Sequence, residues 1–294
     1  MNPVRTITVV IPVYNRATLV GRLLDALDAQ TCRDFSVILV DNGSTDGTPD
    51  VLARWCRQTD LETTIASESQ RGASAARATG LRLCKSEWVM FFDSDDTMSP
   101  GHIARAVEAI RSHPEADVIG WDIYHTECGF RSIKPFVTSG IKYRVLFDGT
   151  MSTLRYMARR IIFDKAGNWN PDMHIWDDIE LAARILEQNP TIYKSEGEPT
   201  VEVWVQPDSI TNAPLDIESI ERALDSIASR KGYSRRWIDL KETILASRTP
   251  GRQGSDILRR VISRTSSNRL LLRLAYAYTR LGGRGIARIL QPFM

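Results

Sequence analysis

Residues 87–96 read EWVMFFDSDD. Six residues dominated by aromatic and aliphatic side chains, with no alternation of polar and apolar positions, read as a strand buried on both faces. That strand runs straight into Asp93, Asp95 and Asp96. In open parallel sheets covered by helices, ligands gather at the carboxyl ends of the strands, so a run of acids at this place marks a site as well as a turn.

Upstream, the same arrangement repeats. TITVVIPV at 6–13 is a near-continuous apolar run ended by Tyr14-Asn15-Arg16, and Leu19, Val20, Leu23, Leu24 and Leu27 then keep the spacing of one apolar helix stripe. FSVILV at 35–40 is a second buried strand, Asp41 to Gly47 a turn-rich loop, and Val51, Leu52 and Trp55 open another helix face. A third strand falls at 62–66 and an alanine-rich helix at 73–83. Strand and helix alternate with short connections, which predicts an α/β fold with a mostly parallel sheet flanked by helices. Tyr14-Asn15, Asp41-Asn42 and Asp93 to Asp96 each follow a strand, so one crevice collects all three.

Downstream, 117–124 gives one more strand, the pattern loosens to about 205, and a helix covers 177–188. The breaker-rich QPDSITNAPLD at 206–216 marks a boundary. Beyond it the chain is helical. Ile257, Leu258, Val261 and Ile262, then Leu270, Leu271, Leu274, Tyr278 and Leu281, keep helical spacing among arginines, and Gly282 to Gly285 read as a helix break.

The whole chain of 294 residues has a net charge of only +2, with 43% hydrophobic and 25% charged residues, 18 Gly and 13 Pro; this excludes collagenous, coiled-coil and wholly disordered classes. The charge is unevenly placed. Residues 222–294 hold 16 Lys or Arg against Asp225, Asp239, Glu242 and Asp256. That basic helical region fits an anionic membrane surface, or packs its stripe on the rest of the chain or on a second copy in a homodimer. No recognised nucleic-acid module accompanies it, so nucleic acid is not an expected partner. Cys32, Cys56, Cys84 and Cys128 form no C-x-x-C pair, which suggests neither zinc nor a disulfide scaffold. No apolar run long enough to span a bilayer and no cleavable leader is evident, so the expected location is the cytoplasm, with peripheral attachment to the cytoplasmic membrane face. G-x-G-x-x-G after the first strand and G-x-x-x-x-G-K-[ST] are both missing, which excludes a Rossmann dehydrogenase and a P-loop enzyme.

Asp93-Ser94-Asp95-Asp96 crowds like charges, which a divalent cation or hydrogen-bond donors must relieve. Hard oxygen ligands favour magnesium or manganese, and these keep coordination sites for substrate phosphates. A solvated acidic turn capping the next helix is the alternative for the block taken alone.

Four blocks, VVIPVYNR at 9–16, VDNGSTDGT at 40–48, RGASAARATG at 71–80 with FFDSDD at 91–96, and WDDIEL at 176–181, stand in order. With them the chain resembles the family 2 inverting glycosyltransferases of the GT-A nucleotide-sugar-binding fold, over roughly residues 5–211. The resemblance implies a GT-A catalytic domain over 1–211, with a nucleotide-binding half at 1–97 and an acceptor-binding half at 98–211, followed by the basic helical region at 212–294. It implies that Pro12, Tyr14 and Asp41 hold base and ribose, that Arg77 lies near them or the diphosphate, that Asp95 faces the ribose and that Asp96 takes the metal. Asp178 falls at the position of the general base, and Trp176 and Asp177 are candidate residues of the acceptor site. Two departures stand out: Asn42 where many relatives have Asp, and Gln206 where relatives often have a His before the Ser-x-Thr seen here as Ser209-Ile210-Thr211. His102, His113, His125 and His174 show no ligand spacing and read as surface or structural residues. The expected activity is transfer of a sugar from a nucleotide diphosphate donor, UDP-linked, to a glycan or lipid-linked acceptor in surface polysaccharide or glycoconjugate synthesis. The alternatives are a catalytically silent scaffold of the same fold, or a sugar-phosphate nucleotidyltransferase, although the basic glycine-rich loop of the latter is missing.

Overall fold

The computed structural model describes residues 4–205, 216–265 and 268–291; Gln206 and the Ser209-Ile210-Thr211 stretch, and with them most of the expected boundary, lie outside the described residues. The chain begins β1 (Ile7–Val13), α1 (Val20–Asp28), β2 (Phe35–Asp41), α2 (Thr48–Gln58), β3 (Glu62–Ser67), α3 (Ala73–Leu83) and β4 (Trp88–Phe91). All seven residues of β1 and all four of β4 are buried, which is why they read as unbroken apolar runs. β1 lies parallel to both β2 and β4, and β2 parallel to β3. α3 lies close against the sheet at Gly80, where an added Cβ would stand 2.3 Å from Val10 Cγ1.

Next come β5 (Thr97–Met98), α4 (His102–Ser112), β6 (Val118–Trp121), β7 (Ile123–Glu127), β8 (Phe130–Lys134), α5 (Ile141–Asp148), a 3-10 turn (Thr153–Arg155), β9 (Tyr156–Arg159), α6 (Arg160–Ala166), α7 (Asp177–Glu187), β10 (Ile192–Ser195) and β11 (Val201–Trp204). The single strand expected over 117–124 is two strands in two sheets. Asp122 separates them, its carboxylate accepting the Phe136 N–H at 2.7 Å and pairing with Lys194 at 3.2 Å. The large sheet has the order β10-β6-β9-β4-β1-β2-β3, and β5-β11-β7-β8 form a small one. β9 runs antiparallel to both its neighbours, β4 and β6, in an otherwise parallel sheet.

One face of the large sheet packs on α1, α2 and α4 through Leu23, Leu27, Leu52 and Ile103, and the other on α3, α6 and α7 through Ala76, Phe163 and Leu181. The chain closes with α8 (Ile217–Ala228), α9 (Arg235–Arg248), α10 (Gly251–Arg264), α11 (Arg269–Arg280) and α12 (Ile286–Leu290). These share a core of Ile220, Leu224, Ile238, Leu245, Ile257, Val261 and Leu272 with Leu146 of α5 and Ala183 of α7. The C-terminal helices therefore sit against the helix that opens with Asp177 and Asp178. On α11 it is Leu272 and Ala275 that face inward, while Leu270, Leu274, Tyr278 and Leu281 of the expected stripe are exposed. No helix among the described residues is long and apolar enough to cross a membrane.

Candidate active site

A cavity of about 820 Å³ opens where β1 and β4 end, walled by Pro12, Tyr14, Asn42, Arg71, Arg77, the block Asp93 to Asp96, His125 and Trp204. The turns after β1 and β2 lock together: Asn15, at φ 48°, accepts the Thr45 N–H on Oδ1 at 2.8 Å and donates its own N–H to Ser44 Oγ at 3.0 Å. Asp41 turns into its own loop, both carboxylate oxygens accepting the Ser44 N–H at 3.3 Å, so Asn42 and not Asp41 forms the cavity wall. Asn42 is buried and uses both ends of its amide. Nδ2 donates to the carbonyls of Glu68 and Gln70 at 3.0 and 2.7 Å, and Oδ1 accepts the Gly72 N–H at 2.8 Å. An Asp here would set a carboxylate against two carbonyl oxygens, which gives the departure at position 42 a structural reason.

Tyr14 is 45% exposed, with the Arg71 guanidinium over its ring, 4.5 Å from the centroid. Arg71 belongs to the third sequence block, and Arg16, 3.5 Å from Asp95, to the first; Trp204 lies outside all four blocks, and all three line the cavity together with His125. His125 lines the cavity, and burial lowers its pKa. His102, in contrast, is structural: it is buried and bonded to Thr200 Oγ1 at 2.8 Å.

Asp96 is only 4% exposed, and its Oδ1 accepts the Trp204 N–H at 2.7 Å. Burial, then Asp93, push its carboxyl up to about 8, with Asp95 adding to the rise. Such a carboxylate, crowded by like charges at a cavity wall, suits a divalent cation. Among the described residues no three His, Cys, Asp or Glu side chains gather closely enough to hold a metal alone. A divalent ion beside Asp96 would need ligand oxygens to complete its shell, as hard cations beside phosphates are held.

Arg77 is 6% exposed and its guanidinium is shared between two carboxylates, Asp93 Oδ1 and Asp177 Oδ2, each at 2.7 Å. Asp177 Oδ2 also accepts Ser74 Oγ at 2.6 Å. So although Arg77 lines the cavity, its charge is matched inside the protein. Asp178 follows as the second residue of α7, its Oδ1 accepting the Ile179 N–H at 2.8 Å. Burial first, then Asp177, hold its carboxyl well above the ordinary carboxylate range, while Arg77 opposes the rise. Trp176 caps α7 with a left-handed φ of 59°, rare for a bulky residue, and packs among the C-terminal helices, with Lys241 Nζ 4.5 Å above its ring. It is not part of the cavity wall.

This arrangement, an open α/β sheet whose strand ends carry an acidic block tied to the start of a later helix, is that of the GT-A fold. Residues 8–167 match Glycosyl transferase family 2, and the chain belongs to that family. A PGL/p-HBAD biosynthesis glycosyltransferase of Mycobacterium tuberculosis is 25% identical over 249 residues, covering 82% of this chain and 94% of its own. Among solved structures, S. aureus TarS 1–349 in complex with UDP superposes with a TM-score of 0.69 at 18% identity, over 98% of this chain and 92% of that one. The mannosyltransferase PcManGT from Pyrobaculum calidifontis, in complex with GDP-Man and Mn2+, gives 0.54 at 18% identity, over 95% and 88%.

Proposed function

We propose that the protein is a metal-dependent inverting glycosyltransferase that moves a hexosyl group from a nucleotide diphosphate donor, UDP-linked, to a glycan or lipid-linked acceptor in surface polysaccharide or glycoconjugate synthesis. The observation that carries the proposal is the Arg77 bridge, which ties Asp93 of the acidic block to Asp177, the neighbour of Asp178, although 83 residues of sequence lie between Asp93 and Asp177. The UDP and UDP-GlcNAc complexes of TarS support the UDP part, and the Mn2+ of PcManGT supports the metal.

In this reaction Asp178 takes the proton of the acceptor hydroxyl as its oxygen attacks the anomeric carbon opposite the departing diphosphate. Burial suits the task, because a base whose pKa approaches the working pH is better matched to an alcohol than an ordinary carboxylate. Asp177, fixed by Arg77 and Ser74, sets the start of α7 and hence the position of Asp178. Tyr14 and Pro12 line the base and ribose site, with Arg71 stacked on Tyr14 and Asp41 behind the wall, shaping the turn through the Ser44 N–H; Asp95 faces the ribose. Asp96 would hold a magnesium or manganese ion, which would supply positive charge toward the leaving diphosphate. Residues 1–97 make the nucleotide half and 98–211 the acceptor half of the catalytic unit. The basic helices of 212–294 place it on the cytoplasmic face of a membrane.

Calorimetric titration of UDP into the protein with manganese, with EDTA, and into Asp96→Ala tests the proposal. The expected result is binding that needs manganese and is lost in the variant. No binding in either condition would point to another nucleotide or to a scaffold without turnover.

A further inference from the structure

Trp204, the last residue of β11, is tied to three consecutive residues of the acidic turn in three different ways. Its N–H donates to Asp96 Oδ1 at 2.7 Å, and its ring Nε1–H donates to Thr97 Oγ1 at 3.3 Å. The Arg22 guanidinium of α1 lies over its ring, 4.9 Å from the centroid, and Arg22 Nη2 donates in turn to the Asp95 carbonyl. Trp204 is also part of the cavity wall.

Strand pairing alone does not hold the Trp204 N–H where it is. The ladder between β11 and β5 consists of Val201 with Met98 and Glu202 with Thr97, so on that side it has ended two residues before Trp204. From there the side chain fixes the backbone against the turn, by one hydrogen bond to Thr97 and by a guanidinium stacked on the indole, the best aromatic partner for a cation. The group so fixed is the one that orients Asp96. A carboxylate turns about its last side-chain bond unless a donor pins one oxygen; here the N–H pins Oδ1, and among the described residues no hydrogen bond occupies Oδ2.

We propose that Trp204 is a positioning residue for the divalent ion: clasped by Arg22 and Thr97, it keeps its N–H on Asp96 Oδ1 and so holds the carboxylate in one orientation with Oδ2 left for the ion. This rests on Asp96 as the metal residue and gives that residue a support drawn from α1 and β11, both outside the acidic block. Groups that orient a metal ligand from behind govern affinity almost as strongly as the ligands do.

The test is a manganese titration of the full chain at a fixed concentration of UDP, with free manganese read by electron paramagnetic resonance. Trp204→Ala should weaken manganese binding about tenfold, the low end for loss of a group that orients a ligand. Trp204→Phe keeps a ring under Arg22 and should recover most of that loss. Because the Arg22 charge is felt at Asp96, the charge-keeping Arg22→Lys is the informative change there; it loses the planar stack and should weaken binding in the same direction. The double variant of Arg22→Lys with Trp204→Ala should be no weaker than Trp204→Ala, since both break one clasp. Trp204→Leu replaces Trp204→Ala if the latter does not fold. Val261→Ala, in the core of the C-terminal helices, costs stability away from the cavity and should hold manganese as the parent does. Unchanged manganese affinity in a folded Ala or Leu variant overturns the proposal, and so does an equal loss in Val261→Ala. An Asp96→Ala protein that holds manganese as well as the parent would sink the metal reading and this role with it, whereas loss in Asp96→Ala beside normal binding by the Trp204 variants removes Trp204 alone.

Discussion

Arg77 and Asp177 meet at 2.7 Å, and the other terminal nitrogen of the same guanidinium reaches Asp93 at the same distance. One buried side chain thus joins the end of β4 to the start of α7. The Trp169 ring covers its guanidinium at 4.8 Å, so neither carboxylate can swing away without uncovering a charge. The acidic block and the candidate base are in this way held in register by a residue that need not touch the substrate at all.

Arg77→Met should therefore act first on stability. It leaves Asp93 and Asp177 with no cation in a poorly hydrated place, a loss of about 3–5 kcal/mol. Arg77→Lys should recover little, since a single ammonium cannot reach two carboxylates in fork geometry. Adding Asp177→Asn to Arg77→Met should restore part of the loss, because the pair is coupled. Guanidinium denaturation of the single and double variants measures the coupling, and strictly additive losses would count against the bridge.

Asp178 sets the pH dependence. A base works ionised, so turnover should rise with pH through the Asp178 titration and level off above it, with the acid limb well above the usual carboxylate range. The sign for stability is opposite. A carboxyl whose folded pKa exceeds its unfolded value favours the fold while protonated, and that contribution is lost as pH rises through the folded pKa. Asp178→Asn should thus lower the rate about 10² to 10⁴-fold and yet melt above wild type at pH 8. A variant with near-normal turnover, or one less stable at that pH, would contradict the assignment.

What the sequence disclosed follows from burial on both faces. β1, β2 and β4 carry near-continuous apolar runs because helices cover both sides of the sheet, and their polar ends mark one crevice. β9 escaped because Tyr156-Met157-Ala158-Arg159 is only four residues long, with no run or alternation to betray a central antiparallel strand. On α11, the consecutive Leu270, Leu271 and Leu272 fit two overlapping stripes, and only the packing of Leu272 and Ala275 on the helical core decides which is inside. Trp204 is unreadable for a different reason: its N–H meets Asp96 across 108 residues of chain, through a backbone group that carries no sequence signature.

His102 gives a stability prediction remote from the site. Burial pulls its pKa from 6.5 down to about 3, with Arg105 adding to the fall. The folded protein keeps it neutral while the unfolded chain takes up a proton, so its contribution is intact above about 6.5 and shrinks as pH falls, by about 1.4 kcal/mol per unit. His102→Asn should lose some packing against Trp121, whose ring lies 4.8 Å away, at every pH. Between pH 6.5 and 5, however, its urea midpoint should fall less than that of wild type. Parallel slopes for the two chains would show that His102 titrates freely in the fold.

The exposed side of α11 should bind anionic lipid. Leu270 is 70% exposed and Leu274, one turn on, 56%, while Leu281, the residue that caps the helix, is 88% exposed. No acidic residue follows Asp256, while Arg259, Arg260, Arg264, Arg269, Arg273, Arg280, Arg284 and Arg288 do. An apolar row set among arginines lies in a headgroup layer with both parts satisfied, each basic residue near the surface adding about 1 kcal/mol. Co-sedimentation with vesicles containing phosphatidylglycerol should therefore be strong at low salt, weaken as salt screens the charges, and drop with neutral vesicles. Leu274→Glu with Leu281→Glu, two outward positions whose change spares the core, should abolish it without altering the melting temperature. Equal sedimentation of the double variant and the parent would assign the stripe to another copy of the chain, and a concentration-dependent dimer in light scattering would then have to appear in the parent and vanish in the variant.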